Sequence, residues 1–285
     1  MKQEIKDKFP KWCQDGDTKY NLILSDDIDS LMCYQFQSWY FNRQVKFFFD
    51  ANTQGFTQTL YKSTDVKKVG NDNVIGLDIA IERDIKVWDN HIIKIKRDDT
   101  SNNNSANLNL ALDICQTNYT SKACVSTFIT MLSYYNVDIS TWSKEQLAVL
   151  CAIDGLYYPF KTGSNFIMTA RKNLSLLEYE FLEDFIKENM DLILALKEEL
   201  KLDAKIKVGD DGKLTTAIDL ERLSEIFEDI FWYISLPGDT FVEKERLKKK
   251  YIQNINYSKD YLLEEYNLFN FALCYKNKGV ISYLI

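Results

Sequence analysis

Apolar and polar positions follow two alternating patterns through the first 95 residues. Short, nearly continuous apolar runs predict four buried strands, at residues 20–25, 44–50, 73–81 and 84–93. Helical spacing predicts helices between them, over residues 30–42 and over 57–69 ("TQTLYKSTDVKKV"). Strands that alternate with helices predict a parallel sheet with helices on its faces. In such sheets, ligands bind beyond the carboxyl ends of the strands.

The next segment changes from polar to apolar. Residues 96–109 are rich in Asn and Ser and predict a loop. Residues 121–137 predict an apolar-faced helix, with Thr120 or Ser121 as its cap. Residues 143–160 begin as a second helix, for which Ser143 is a suitable N-cap.

Beyond residue 162 the spacing becomes that of a mixed α+β segment. It predicts a long amphipathic helix over 174–202, hairpins at 205–218 and 271–285, and a helix at 220–234. The predicted fold class is therefore α/β. A parallel β-sheet flanked by helices forms a domain over residues 1–162, and a smaller α+β domain follows over 163–285.

Composition and charge narrow the class of protein. Hydrophobic residues make up 46% and charged residues 27%, the net charge is −7, and no apolar run is long enough to cross a bilayer. The six cysteines form no CxxC pair, and the amino-terminal residues contain no apolar signal segment, so we expect a cytoplasmic protein that is not bound to a membrane. The basic stretch 243–253 ("EKERLKKKYIQ") is interpreted as a solvated helix face rather than a phosphate-binding patch.

Acidic residues stand at the ends of several predicted elements. Asp27 and Asp29 follow the first strand, Asp78 lies in the third, and Asp154 ends a helix. The fourth strand ends in Asp-Asn-His at residues 89–91, which includes the only histidine of the chain. Carboxylates gathered at one rim repel each other, and a divalent cation relieves this repulsion. Carboxylates with one imidazole suit Mn²⁺ or Mg²⁺, and two such ions can clamp a phosphoryl group and activate water.

The same residues resemble the motifs of the DHH phosphoesterases, a family of nucleases, cyclic-dinucleotide phosphodiesterases and pyrophosphatases. "LILSDDIDSLM" matches the strand followed by Asp-x-Asp, "VIGLDIAI" supplies the single Asp, and "VWDNHII" matches Asp-His-His at all but one position. "TSKACVSTFITML" is similar to the helix that follows, and "LCAIDGLYYPF" is a loose version of the fourth motif. The resemblance covers roughly residues 18–162.

The resemblance implies a role for each matched residue. It assigns metal coordination to five positions: Asp27, Asp29, Asp78, Asn90 and Asp154. Asp78 would bridge two Mn²⁺ or Mg²⁺ ions, Asp89 would orient its neighbours, and His91 would face the substrate phosphate. The implied activity is hydrolysis of a short or cyclic oligonucleotide, or of another small phosphoester, by metal-activated water. The implied partners are a small phosphoester or a short single-stranded nucleic acid.

Two other functions stay open. Asn90 stands where the family places a metal-binding His, and no Gly-Gly-x-x-Gly-His-like segment follows residue 162. These departures are typical of a binding or structural module that has lost catalysis. The Asp-x-Asp after a strand also suits a HAD-type phosphatase, with Asp27 as nucleophile and "VGDDG" (208–212) as a later acidic motif.

Overall fold

Nine strands of the described residues form one mixed sheet. The computed structural model describes residues 1–51, 56–67, 73–163 and 166–284. The strands are β1 (Asn21–Leu24), β2 (Gln44–Asp50), β3 (Thr57–Ser63), β4 (Val74–Leu77), β5 (Lys86–Asp89), β6 (Ser105–Asn107), β7 (Ile206–Val208), β8 (Leu214–Thr216), β9 (Phe241–Gln253), β10 (Leu268–Tyr275) and β11 (Lys278–Tyr283). The strand order in the sheet is β10-β11-β9-β3-β2-β1-β4-β5-β6, and β7 and β8 form a separate hairpin. The protein is thus a mixed α/β fold, as the sequence predicts.

The parallel half of the sheet has the order β2-β1-β4-β5-β6. The chain builds outward from β1 in one direction to β2 and in the other direction to β4, β5 and β6. This reversal is a topological switch point, which opens a crevice at the carboxyl ends of β1 and β4. The four predicted strands of this half are confirmed, although β4 and β5 are shorter than the apolar runs that contain them.

The other half of the sheet is antiparallel. Its hairpin β10–β11 confirms the one predicted at 271–285, whereas β3 and β9 were not predicted as strands. Residues 57–63, predicted as part of a helix, form β3 between β2 and β9; the last two residues of that predicted helix lie outside the described residues. The basic stretch 243–253 is part of β9, so its interpretation as a helix face is wrong. Its strand form follows from pairing on both edges, with β3 and with β11.

Helices pack mainly on one face of the sheet. They are α1 (Gln3–Lys6), α2 (Ile28–Phe41), α3 (Leu108–Ala111), α4 (Thr127–Tyr134), α5 (Lys144–Ala152), α6 (Tyr158–Thr162), α7 (Ile167–Leu177), α8 (Leu182–Glu188), α9 (Met190–Glu199), α10 (Leu220–Ile226), α11 (Glu228–Phe231) and α12 (Lys259–Glu265). None of the helices among the described residues combines the length and the apolar character that a bilayer crossing requires.

Three helix predictions needed correction. The predicted helix at 121–137 begins at residue 127, where Ser126 is the cap because its hydroxyl accepts from the Ile129 N–H at 3.1 Å. The predicted long helix at 174–202 is three helices, and the first ends at Leu177, where the C-cap Glu178 has a left-handed φ of 61°. The predicted helix at 220–234 is two short ones. By contrast, Ser143 caps α5 in a capping box with Gln146, as predicted.

The sheet curls so that its far edge returns to its middle. Isolated bridges join Ile81 to Asn270 and Ile92 to Leu273, which connects the segments after β4 and β5 to β10. The apolar face opposite the helices is therefore covered by strands, with Phe269 packed among residues of β1, β2 and β4. The sheet contains strands from both sides of the boundary predicted between residues 162 and 163, since β9, β10 and β11 join the sheet that β1 to β6 form.

A buried ion pair holds the curled edge of the sheet against its middle strands. The Lys259 ammonium of α12 donates to both oxygens of Glu82, at 2.8 and 2.9 Å, and both side chains are almost fully buried. Burial raises the pKa of Glu82 to about 7. The pair joins the loop after β4 to the helix that precedes β10.

Candidate metal centre

The acids at the switch point meet around Asp78, the residue that follows β4. Ligand atoms of Asp29, Asp78 and Asp154 lie within 4.8 Å of one another, and so do those of Asp78, Asp89 and His91. The carboxyl ends of β1, β4 and β5 bring most of these residues to one edge of the sheet, and the turn after α5 supplies Asp154. The two groups share Asp78, so the structure brings six residues predicted from the sequence, including Asn90, into one centre.

Helix α4 holds two buried carboxylates of the centre. Asp29 lies in the first turn of α2 and accepts the backbone N–H groups of Thr127 and Phe128 at 2.7 and 2.8 Å. The Thr127 hydroxyl donates to Asp78 at 2.7 Å. These donors sit at the amino terminus of α4, where the backbone favours negative charge. Even so, burial raises the pKa of Asp29 well above its ordinary value, and the charge on Asp78 raises it further.

Two of the acids occupy strained backbone. Asp78 has a φ of 51° and Asp154 a φ of 52°, both in the left-handed region that residues with a Cβ rarely adopt. Burial and the neighbouring charge of Asp27 raise the pKa of Asp78 well above its ordinary value. Strain and crowded charge at the same residues indicate that the surrounding fold forces them together.

Asp89 and His91 form a fixed pair beside these acids. The His91 Nδ1 atom lies 2.6 Å from Asp89, and the other Asp89 oxygen accepts from the Asn107 amide at 2.9 Å. Although desolvation lowers it, the Asp89 charge raises the pKa of His91 to about 10, so the imidazole is cationic at neutral pH. Asn107 also donates to the His91 carbonyl at 2.8 Å and so fixes the backbone of the motif.

Asn90 contacts an acid as a donor. Its amide nitrogen donates to Asp154 at 2.5 Å and to the Val125 carbonyl at 3.3 Å, while Asn109 donates to its backbone carbonyl at 2.6 Å. In this arrangement Asn90 supports Asp154, and its role as a metal ligand stays a prediction.

Asp27 belongs to neither group of converging ligand atoms, although its charge acts on Asp78 and Asp154. It caps α2, with its carboxylate accepting the Ser30 N–H at 3.2 Å. Its second oxygen lies 3.2 Å from the ammonium of Lys205, which is also 3.2 Å from Asp26. The candidate acids of the HAD-type alternative, Asp210 and Asp211, are exposed in the turn between β7 and β8.

Sequence reasoning missed several residues of the site. Asn107 and Asn109 lie at the end of the segment predicted as a loop, where residues 105–109 instead belong to β6 and α3. The alternation of polar and apolar residues in "SANLN" is the sequence signal that could have predicted a strand here. Lys205 and Lys249 line the site from residues some 50 and 90 positions beyond the last motif, and no local pattern marks them.

Two cavities open on either side of His91. The tyrosine cavity, of about 570 Å³, is lined by His91, Asp154, Tyr157, Tyr158 and Phe166 among others. The lysine cavity, of about 310 Å³, is lined by Asp27, Asp78, His91, Lys205 and Lys249 among others. A ligand bound at the acids could therefore extend into either cavity. Aromatic side chains line the tyrosine cavity, and lysine side chains line the other.

Comparison with known proteins identifies no relative. No protein-family model, curated protein or solved structure shows significant similarity to this chain. What the chain does is therefore argued from its own geometry.

Proposed function

We propose that this protein is a divalent-metal-dependent phosphoesterase of the DHH-like type. Its substrate is a short or cyclic oligonucleotide, or another small phosphoester. The observation that carries the proposal is the convergence of Asp29, Asp78 and Asp154, with His91 beside them, at the switch point of the parallel strands.

The donor set suits a hard divalent cation. Carboxylate oxygens with one imidazole favour Mn²⁺ or Mg²⁺ over softer metals. Asp78 accepts through one oxygen from Thr127, and Asp154 accepts through one oxygen from Asn90. Asp154 is also in hydrogen-bond contact with Asp29, so these two carboxyl groups lie as close together as two ligands of one cation. Burial and neighbouring carboxylates raise the pKa of Asp29 and of Asp78, so their ionised forms are disfavoured here, and a bound cation would relieve that cost. When bound, the cation would supply Lewis-acid stabilisation of the charge on a phosphoryl group.

The chain's own groups would bind and orient the substrate. His91 is held by Asp89 in the cationic form, so it can donate a hydrogen bond to a phosphoryl oxygen. The tyrosine cavity has the volume of a small-ligand site and carries aromatic faces. Tyr158, at 59% exposure, offers an accessible ring on which a base could stack.

A second function is favoured by one observation. The Asn90 amide donates to Asp154 and so occupies a carboxylate oxygen with a proton donor. This weakens the metal site relative to one with imidazole at that position, because an amide is a poorer ligand for a first-row metal. A protein that binds a nucleotide or phosphoester without cleaving it would keep the same geometry.

Calorimetry with Mn²⁺ tests the proposal, on the wild type, on Asp78→Asn and on the exposed control Asp191→Asn. We expect Asp78→Asn to weaken Mn²⁺ binding about 100-fold and the control to bind as the wild type does. A panel of di- and trinucleotides, cyclic dinucleotides and pyrophosphate then separates the two functions. Turnover that needs Asp78 supports the enzyme, whereas metal-dependent binding without turnover supports the binding module. A wild type that takes up no Mn²⁺ rules out the metal-dependent function.

A further inference from the structure

Lys205 is built into the centre from the carboxyl-terminal half of the chain. The backbone N–H of Ile206, the first residue of β7, donates to the Asp26 carbonyl at 2.8 Å. The Lys205 ammonium then lies 3.2 Å from a carboxylate oxygen of Asp26 and 3.2 Å from one of Asp27. A backbone hydrogen bond and two ion pairs thus fix the lysine beside the loop after β1.

Lys205 forms an ion pair with Asp27, a carboxylate that coordination of two metal ions would need. The resemblance assigns Asp27 to one of two ions, yet Asp27 belongs to neither group of converging ligand atoms. Lys205, Asp27, Asp78 and His91 nevertheless line the same cavity, so the ammonium shares the space in which a substrate phosphoryl group would meet the acids.

The ammonium keeps its charge in this setting. The half-exposed ammonium lies within ion-pair distance of two carboxylates, Asp26 and Asp27, and such neighbours favour the charged form of a lysine. A permanent positive charge in contact with Asp27 repels a divalent ion that approaches the same carboxylate.

We propose that Lys205 is the second cation of this centre, so that the protein takes one divalent ion, at Asp29, Asp78 and Asp154. An anionic phosphoryl group then binds both to that ion and to the Lys205 ammonium. This inference rests on the proposed function, because it assigns a role to Lys205 in the same metal centre.

The test counts metal ions by calorimetry and by elemental analysis after gel filtration. Wild type, Lys205→Met, Lys205→Arg and the hairpin control Lys213→Met are compared in Mn²⁺. We expect one Mn²⁺ per chain for the wild type, the arginine variant and the control. In Lys205→Met the freed Asp27 is expected to accept a second Mn²⁺, giving two per chain.

Inorganic phosphate serves as the ligand probe in the same proteins. With one equivalent of Mn²⁺, Lys205→Met is expected to bind phosphate about tenfold more weakly than the wild type does. A second equivalent of Mn²⁺ is expected to restore that affinity, since the ion then supplies the lost charge. Lys205→Ala repeats both measurements if the methionine variant does not fold.

The outcomes separate the inference from the function on which it rests. Two Mn²⁺ ions in the wild type overturn the role of Lys205 and leave the metal-dependent function standing. One ion in Lys205→Met, with unchanged phosphate affinity, also overturns it. A wild type without Mn²⁺ overturns the function, and the inference with it.

Discussion

Asp78 combines three unfavourable features in one residue. It is buried, its carboxylate faces other acids, and its backbone lies in the left-handed region. Each feature opposes folding in the absence of a cation, because buried like charges repel and left-handed backbone is strained for a residue with a Cβ. Such a residue is stable only where the rest of the fold holds it, and this is typical of functional positions.

Asp78→Asn is therefore expected to stabilise the metal-free protein. Removing the buried charge should raise the free energy of unfolding in EDTA by roughly 0.5–2 kcal/mol, the range that single stabilising substitutions commonly reach. Because the folded pKa of Asp78 is raised, its contribution to stability is present below the ordinary value of 3.8 and is lost as the pH rises through the folded pKa. Urea titrations from pH 5 to 8 should show a smaller decline in the variant than in the wild type. An unchanged decline would contradict the raised pKa.

His91 offers a direct reading of the centre, because it is the only histidine in the chain. Its NMR titration needs no assignment. In EDTA the wild-type imidazole is expected to titrate near pH 10, because the Asp89 carboxylate stabilises its charge. Asp89→Asn should lower that pKa by two or more units, whereas the exposed Asp98→Asn should leave it unchanged. A wild-type value near the ordinary 6.5 would show that the pair does not form.

At the scale of elements, the site depends on how closely β4 packs against its neighbours. A Cβ at Gly76 would lie 2.8 Å from Ile79 Cγ2 and 3.0 Å from Val87 Cγ1. Gly76 thus lets β4 approach β5 and places Asp78, two residues later, at the rim. Ser30 holds the same strand end, since its hydroxyl donates to the Leu77 carbonyl at 2.9 Å.

Gly76→Ala is expected to destabilise the protein and to disturb the centre. The added methyl group should lower the free energy of unfolding by about 1–3 kcal/mol through overpacking. Because the displaced strand carries Asp78, Mn²⁺ affinity should fall as well. Thermal unfolding and calorimetry measure the two effects, with Gly238→Ala as control, since nothing lies within 4 Å of a Cβ there. A Gly76→Ala protein that matches this control would contradict the packing argument.

Elements formed by local signals could be predicted from the sequence. The apolar run of β1, the hairpin β7–β8 and the Ser143 cap of α5 each depend on neighbouring residues. β3 could not be predicted in this way, because it is a strand by virtue of pairing with β9, some 180 residues away. The break at Glu178 likewise lacks the Gly or Pro that ordinarily marks a helix end.

The same distinction applies to the site. Its acids and His91 follow local motifs at strand ends, so the sequence predicted their types and their common edge. Lys205 could not be predicted, because its position depends on a hydrogen bond between β7 and the loop after β1. The hydrogen bonds that Asn107 and Asn109 donate to residues 89–91 could not be predicted for a related reason. Their segment has the composition of a loop, and it is ordered by the pairing of β6 with β5.

At the scale of the whole molecule, the Glu82–Lys259 pair closes the curl of the sheet. Lys259→Met alone leaves a buried carboxylate without its partner and should lower the free energy of unfolding by about 3–5 kcal/mol. The double variant Glu82→Leu, Lys259→Met removes both charges and is expected to stay within about 1 kcal/mol of the wild type. Chemical denaturation of the full mutant cycle measures the coupling. Equal losses in the single and double variants would show that the charges do not interact.

The long separation of β3 and β9 in the sequence affects how the chain folds while it is being synthesised. Residue 63 ends β3, and its partner strand begins only at residue 241. At roughly 5–20 residues per second, a ribosome takes about 10 to 35 s to make the intervening segment. During that interval the edge of β3 that later pairs with β9 has unpaired backbone groups that other strands can join. Newly made chains are therefore exposed to intermolecular strand pairing at this edge until the last three strands are made.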